Sequence, residues 1–220
     1  MGYVITVDGP AASGKSSLSR ELSKKFQVPW VSTGAFYRGL GYAALQTGVD
    51  LNNPIALTEL CHSDVWEIRL SFERTLVYFK NQDVTDAIAQ EAVGNVASQI
   101  SQYLEVRQSL LDNQRQFAVN NKGLIAEGRD CGTVVFPHAE AKIYLTAHSE
   151  NRAQRRAQEQ GLDQALLVEQ QKIRDRQDST RKVAPLAVPK NALVLDTSEL
   201  DLLTVVNLAE KHIRSQIQSL

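Results

Sequence analysis

The stretch Gly9-Pro10-Ala11-Ala12-Ser13-Gly14-Lys15-Ser16 decides the fold. It satisfies G-x-x-x-x-G-K-[ST] at every fixed position, and its setting matters as much as its letters. Ahead of it, Tyr3-Val4-Ile5-Thr6-Val7 is a short apolar run rich in β-branched residues, stopped by Asp8-Gly9-Pro10. That is the pattern of a strand buried on both faces. Behind it, Leu18, Leu22 and Phe26 share one face of a helix over 17–26. A glycine-bounded loop between such a strand and a helix N-terminus turns backbone N–H groups toward phosphate, where the helix dipole favours an anion. In this loop Lys15 reaches the β/γ-phosphates and the Ser16 hydroxyl ligates Mg²⁺. A plain Gly/Ser loop carrying an exposed lysine would need neither flanking element.

Downstream, 28–31 reads as a second short strand and 34–46 as a helix. Residues 52–99 change character. Trp66, Ile68, Leu70 and Phe72 alternate with Glu67, Arg69 and Ser71, a period of two that predicts a half-buried strand. Residues 75–80 pair back on it through a Glu73-Arg74 turn. Helices are expected at 56–61, 91–100 and 106–119. Leu124-Ile125-Ala126 and 141–145 are two more buried strands. Ser149 caps a polar helix that begins at Glu150, and 163–178 forms a second. Pro185 and Pro189 break the pattern before a fifth strand at 192–195 and a closing amphipathic helix at 202–217. Five short apolar strands alternating with helices predict an α/β fold, a parallel sheet with helices on both faces, plus a small antiparallel insert.

Two hundred and twenty residues suit one domain. Hydrophobic residues at 43% and charged residues at 22% exclude global disorder. Twenty-four Lys and Arg against 25 Asp and Glu give a net charge of −1, which argues against polymeric nucleic acid or an anionic membrane as partner. Cys61 and Cys131 are too few for a disulfide framework or a Cys-only zinc site, and fit a reducing cytoplasm. His62, His138, His148 and His212 lack metal-ligand spacing. No secretory signal is read at the N-terminus, and no apolar run approaches the roughly 20 residues of a membrane helix. A cytoplasmic monomer is expected.

The loop predicts nucleoside triphosphate binding but does not say what receives the phosphoryl group. Ser32-Thr33-Gly34-Ala35-Phe36-Tyr37-Arg38 follows the second strand, and Glu127-Gly128-Arg129-Asp130 ends a third. Arginines 152, 155, 156, 174, 176 and 181 crowd one polar segment; taken alone, they read as a solvated helix face. Arg129 and Asp130 alone read as an ion pair at a strand end. Asp196 ends an apolar run like a Walker-B carboxylate, though a strand-end turn is the plainer reading.

The combined pattern resembles the cytidylate kinase family, within the nucleoside monophosphate kinases, along essentially the whole chain. The resemblance is carried by Ile5-Thr6-Val7-Asp8-Gly9-Pro10 with the loop after it, and by Thr33-Gly34-Ala35-Phe36-Tyr37-Arg38. It continues through Ala97-Ser98-Gln99, Val106-Arg107, and Gly128-Arg129-Asp130-Cys131-Gly132-Thr133-Val134-Val135-Phe136-Pro137. It ends with Asp178-Ser179-Thr180-Arg181, Ala184-Pro185-Leu186 and Leu195-Asp196-Thr197-Ser198. The loop is common to many kinases; the Gly-Arg-Asp run with its continuation is far more specific.

This resemblance implies a P-loop kinase fold and the reaction ATP + CMP (or dCMP) to ADP + CDP (or dCDP), with Mg²⁺. ATP would lie on Gly9, Pro10, Ala11, Ala12, Ser13, Gly14, Lys15, Ser16 and Ser17, with Ser16 on the metal. Lys15, Arg174 and Arg181 would be the catalytic residues, the two arginines on a mobile lid. Arg38, Arg129 and Arg181 would hold the acceptor phosphate, since the guanidinium fork binds phosphate oxygens in pairs. Ser98, Arg107 and Asp130 would read the base. Cytosine offers an N4 donor and an N3 acceptor, which uracil reverses, and a carboxylate suits N4. Asp178 would take a ribose hydroxyl, and Thr33 and Tyr37 would line the acceptor site. The core would span 1–32, 101–149 and 183–220, the monophosphate-binding region 33–100 and the lid 150–182. The family usually carries Asp where this chain has Ser32. A uridylate, adenylate or metabolite kinase would keep the loop with other base contacts, and a non-catalytic P-loop switch would need no second basic site.

Overall fold

All five apolar runs are strands in the computed structural model, which describes residues 2–160, 164–180, 183–218 and 220. The chain runs β1 (Tyr3–Asp8), α1 (Lys15–Phe26), β2 (Trp30–Ser32), α2 (Thr33–Thr47), α3 (Pro54–Cys61), β3 (Trp66–Arg69), β4 (Leu76–Phe79) and β5 (Gln82–Asp83). It continues through α4 (Glu91–Ile100), α5 (Leu104–Val119), β6 (Gly123–Gly128), a π-helical turn (Cys131–Val135), β7 (Ala141–Thr146), α6 (Ser149–Gln160), α7 (Gln164–Thr180), β8 (Leu193–Asp196) and α8 (Leu202–Gln216).

The main sheet has the order β2-β6-β1-β7-β8 and is parallel throughout. Parallel strands are covered on both faces because each crossover lays a helix on the sheet. The period-two side-chain alternation shows which residues meet which helices. Val4, Val31, Leu124 and Ala126 face a core shared with Phe36, Leu40, Leu57 and Leu110 of α2, α3 and α5. Ile5, Val7, Ile125, Ile143 and Leu145 face the other side, against Leu18 and Leu22 of α1 and Val205, Ala209 and Ile213 of α8.

A three-stranded antiparallel sheet, β3-β4-β5, packs its own small core of Val77, Val84, Ile88 and Val93 against Ala35 of α2. The expected strand over 66–72 stops at Arg69. There Ser71 Oγ accepts the N–H groups of Glu73 and Arg74 and donates to the Arg74 carbonyl, a serine turn that ends the ladder. The insert is tied to the edge strand of the main sheet: Ser71 bridges Trp30, and Thr75 Oγ1 accepts from Ser32 N at 2.8 Å. Ser149 is the first residue of its helix rather than the cap before it. Asp163, the expected start of the next helix, lies outside the described residues. Asp196 makes the turn: its Oδ1 accepts from the N–H and hydroxyl of Ser198.

Candidate active site

β1, β2, β6 and β7 all end on the same side of the sheet, where open α/β sheets place their ligands. The loop after the central strand β1 ends at Gly14, whose φ of 91° and ψ of 8° lie in the left-handed region that favours glycine. From there α1 starts, with Leu18 N donating to the Gly14 carbonyl. Lys15 Nζ donates to the Pro10 carbonyl at 2.7 Å and so stands across the mouth of the loop. Burial, and then the neighbouring positive charge of Arg129, lower its ammonium to about 8. Ser16 Oγ lies 3.2 Å from both carboxylate oxygens of Glu127, the next-to-last residue of β6. One hydroxyl and one carboxylate are hard oxygen donors suited to Mg²⁺, which keeps most of its shell for phosphate and water. No group of three or more His, Cys, Asp or Glu that could hold a metal occurs among the described residues.

A cleft of about 520 Å³ extends from this loop over α2, α4 and the end of β6. Lys15 and Ser16 line one end of it, together with Glu127. Thr33, Tyr37, Arg38, Ser98, Arg107, Arg129, Asp130 and Asp178, all expected from the sequence, line the rest. Thr33 is 3% exposed, and its hydroxyl donates to the Glu127 carbonyl. That contact requires Gly128, because a Cβ there would sit 2.2 Å from Thr33 Oγ1. Arg38 Nη1 donates to the carbonyls of Ile88 and Gln90, at 2.6 and 3.2 Å, which hold it between α2 and the insert.

Within this cleft Arg107 and Asp130 form an ion pair, each side chain 7% exposed. Arg107 also donates to the Ser101 carbonyl at 3.3 Å and lies over the Tyr37 ring. Arg129 pairs with Asp178 of α7 instead of with Asp130, so the two adjacent charged residues act separately. Ser32, standing where the family usually has Asp, also lines the cleft. No carboxylate leaves the end of β2, and Glu127 is the acid beside Ser16.

Two further residues reach the site from α6. Arg152, 5% exposed, donates to the carbonyls of Ala11 and Ala147 and pairs with Asp175 of α7, its Nη2 to Oδ2 distance being 2.5 Å. Arg156 spans the cleft to Glu91, the first residue of α4, at 2.5 Å. Arg181 and the side chain of Arg174 lie outside the described residues. On the other side of the loop, a second cavity of about 490 Å³ is lined by Ala12, Ser13, Gly14 and Ser17, and by Leu145, Arg155, Thr197, Leu200, Leu202 and Val205. Its largely apolar walls and its place beside the phosphate loop suit a flat base.

Sequence reasoning passed over Glu127 and Arg156 as site residues. Glu127 carried a usable signal, a carboxylate at the C-terminal end of a strand with no aqueous face. Arg156 carried none, since only the fold brings it to Glu91.

A parallel sheet in this order, with a phosphate loop after its central strand, is the fold of the P-loop kinases. The fold is shared with a gluconokinase from Sinorhizobium meliloti, at a TM-score of 0.52 and 12% identity, over 99% of this chain and 94% of that one. A family model described as cytidylate kinase matches residues 5–215. Among curated proteins, a cytidylate kinase of Bdellovibrio bacteriovorus is 59% identical over 99% of this chain and 100% of its own. One of Vibrio cholerae is 44% identical over 97% of each. The chain belongs to the cytidylate kinase family.

Proposed function

We propose that this protein is an ATP-dependent nucleoside monophosphate kinase that passes the γ-phosphoryl group to CMP or dCMP. Family membership supports the reaction. The observation that carries the choice of base is the buried Arg107–Asp130 pair, which lines the same cleft as Lys15. Asp130 accepts from cytosine N4, and Arg107 donates to N3 or O2 with Ser98 alongside. Arg38 and Arg129 hold the acceptor phosphate together with Arg181, and Asp178 takes a ribose hydroxyl. ATP lies along the loop from Gly9 to Ser17, with its base in the apolar cavity beside Leu202 and Val205.

Phosphoryl transfer asks for positioning and charge neutralisation more than for covalent help. Lys15, drawn off the Pro10 carbonyl, turns to the β- and γ-phosphates. Burial and the charge of Arg129 lower its ammonium to about 8 in the free enzyme, and the negative charge of an incoming polyphosphate favours the protonated form. Ser16 and Glu127 are the groups that would hold Mg²⁺, which would supply positive charge to offset that of the phosphates. Residues 150–182 act as a lid over the core of 1–32, 101–149 and 183–220 and the monophosphate-binding region 33–100. Arg174 and Arg181 then approach the transferring group, and water is excluded.

Both cysteines are free and buried, which fits a reducing cytoplasm. The near-neutral charge balance argues against polymeric nucleic acid as a partner; the proposed partners are the small nucleotides alone, with the enzyme as a monomer. Among the described residues no helix is long and apolar enough to cross a membrane. The test is ADP release from ATP in a coupled assay: release must require CMP or dCMP and must stay at background with water as the sole acceptor.

A further inference from the structure

Asp8 is the last residue of β1, fully buried, and does not line either cavity. It lies between Gly128 of β6 and Tyr144 of β7 in the sheet register. Its Oδ1 accepts the backbone N–H of Cys131, and its Oδ2 accepts that of Gly132, both at 2.7 Å. These are the first two residues of the π-helical turn, whose preceding residue is Asp130. The Asp130 carbonyl in turn accepts from Val134 and Val135. Gly132 fits because it is glycine: a Cβ there would lie 2.8 Å from Thr6 Oγ1 and 3.0 Å from Asp8 Oδ2.

A carboxylate is an expensive group to bury, and one so placed ordinarily answers a specific demand for acceptors. The demand is visible here. Two adjacent backbone donors converge on one side chain, and only a carboxylate offers two acceptor oxygens without a donor of its own. An amide would turn its NH₂ against one of the two N–H groups.

Resting on the reading of the cleft as a cytosine site, we propose that Asp8 is a positioning residue for acceptor-base selection. By clamping the N–H groups of Cys131 and Gly132, it fixes Asp130 against Arg107. It is also the residue directly before Gly9, but its side-chain hydrogen bonds go to the base-reading turn and not to the donor loop. The donor loop has further anchors of its own, Arg152 on the Ala11 carbonyl and Thr197 Oγ1 on the Ser13 carbonyl. Loss of the clamp therefore falls on the acceptor side.

The experiment measures kcat and KM for ATP, CMP and UMP in the unmodified enzyme, Asp8→Asn and Gly132→Ala. A marked preference of the unmodified enzyme for CMP establishes the base site independently; without one, the cytosine reading itself fails. Given that preference, Asp8→Asn is expected to raise KM for CMP at least ~10-fold and to narrow the CMP/UMP ratio of kcat/KM at least ~5-fold. Asp8 also favours the Lys15 ammonium, so KM for ATP should rise as well, but by less than half the factor seen for CMP. Gly132→Ala presses on the same clamp from the other side and gives the same pattern, so it carries the test if Asp8→Asn does not fold. An unchanged CMP/UMP ratio, or equal losses for ATP and CMP, overturns the proposal. In the unmodified free enzyme the Cys131 and Gly132 amides must also exchange slowly before any ligand is added. Fast exchange there overturns it without any variant.

Discussion

Replacing Asp130 by Asn tests base selection with little change of shape. Asp130 is 5% exposed, and its partner Arg107 is 7% exposed, so both groups interact at short range with little screening by water. The amide removes one acceptor oxygen and puts a donor in its place. Facing the N4 amino group of cytosine, that donor is mismatched, at a cost of about 1–3 kcal/mol. This corresponds to roughly a 5- to 150-fold loss in kcat/KM for CMP. Facing uracil, the same donor meets the O4 acceptor, so UMP should lose little or gain. The CMP/UMP ratio is thus expected to narrow at least ~5-fold. The variant has a stability cost as well, because Arg107 keeps the Ser101 carbonyl but loses its counter-charge. Breaking a buried pair outright costs about 3–5 kcal/mol. With one hydrogen bond retained, about 2–3 kcal/mol is expected, or a fall in Tm of roughly 4–12 °C. The assay is coupled ADP release with CMP and with UMP, run well below the variant's Tm. Equal losses for the two substrates would make Asp130 a phosphate-site or scaffold residue with no part in base selection.

Lys15→Ala should fold normally and lose at least ~100-fold in kcat, because preorganised charge on the group in transit is worth several kcal/mol; near-normal turnover would remove Lys15 from the transfer step. In the unmodified enzyme, the free ammonium at about 8 predicts that kcat/KM for ATP falls as pH rises through that value, the protonated form being the one that binds phosphate. A flat profile to pH 9.5 would contradict it. Glu127→Gln should raise the Mg²⁺ concentration for half-maximal rate about 10-fold or more while leaving metal-free CMP binding unchanged, and an unaltered Mg²⁺ dependence would exclude Glu127 from the metal site. Backbone hydrogen exchange over α6 and α7 should slow when donor and acceptor analogues are present together and much less with either alone, while equal protection by either one would argue against a closing lid.

The main sheet could be read from the chain because strands buried on both faces leave uninterrupted apolar runs, as at Val4-Ile5 and Leu124-Ile125-Ala126. β5 could not, since Gln82 and Asp83 are both exposed and only the β4 backbone defines them as a strand. The π-helical turn was equally hidden, for its first two N–H groups are satisfied by Asp8, 123 and 124 positions away. Lys15, next to Gly14, was legible from the spacing of the phosphate loop, whereas Asp130 entered only through the family resemblance; both line the cleft. The pairings within the site were not legible. Arg107 with Asp130, Arg129 with Asp178 and Arg156 with Glu91 are set by how α5, α7 and α6 pack, and no local spacing encodes that.

The central claim, a kinase whose acceptor site is built for cytosine, is met most directly by one substrate panel. Initial rates of ADP release are taken with ATP and Mg²⁺ against CMP, dCMP, UMP, AMP and GMP, and reported as kcat/KM. Turnover is expected with CMP or dCMP, with UMP at least roughly 10- to 100-fold lower, the size of one or two mismatched buried contacts. The purine monophosphates should fall lower still. UMP turned over as well as CMP, or AMP preferred to both, would contradict it.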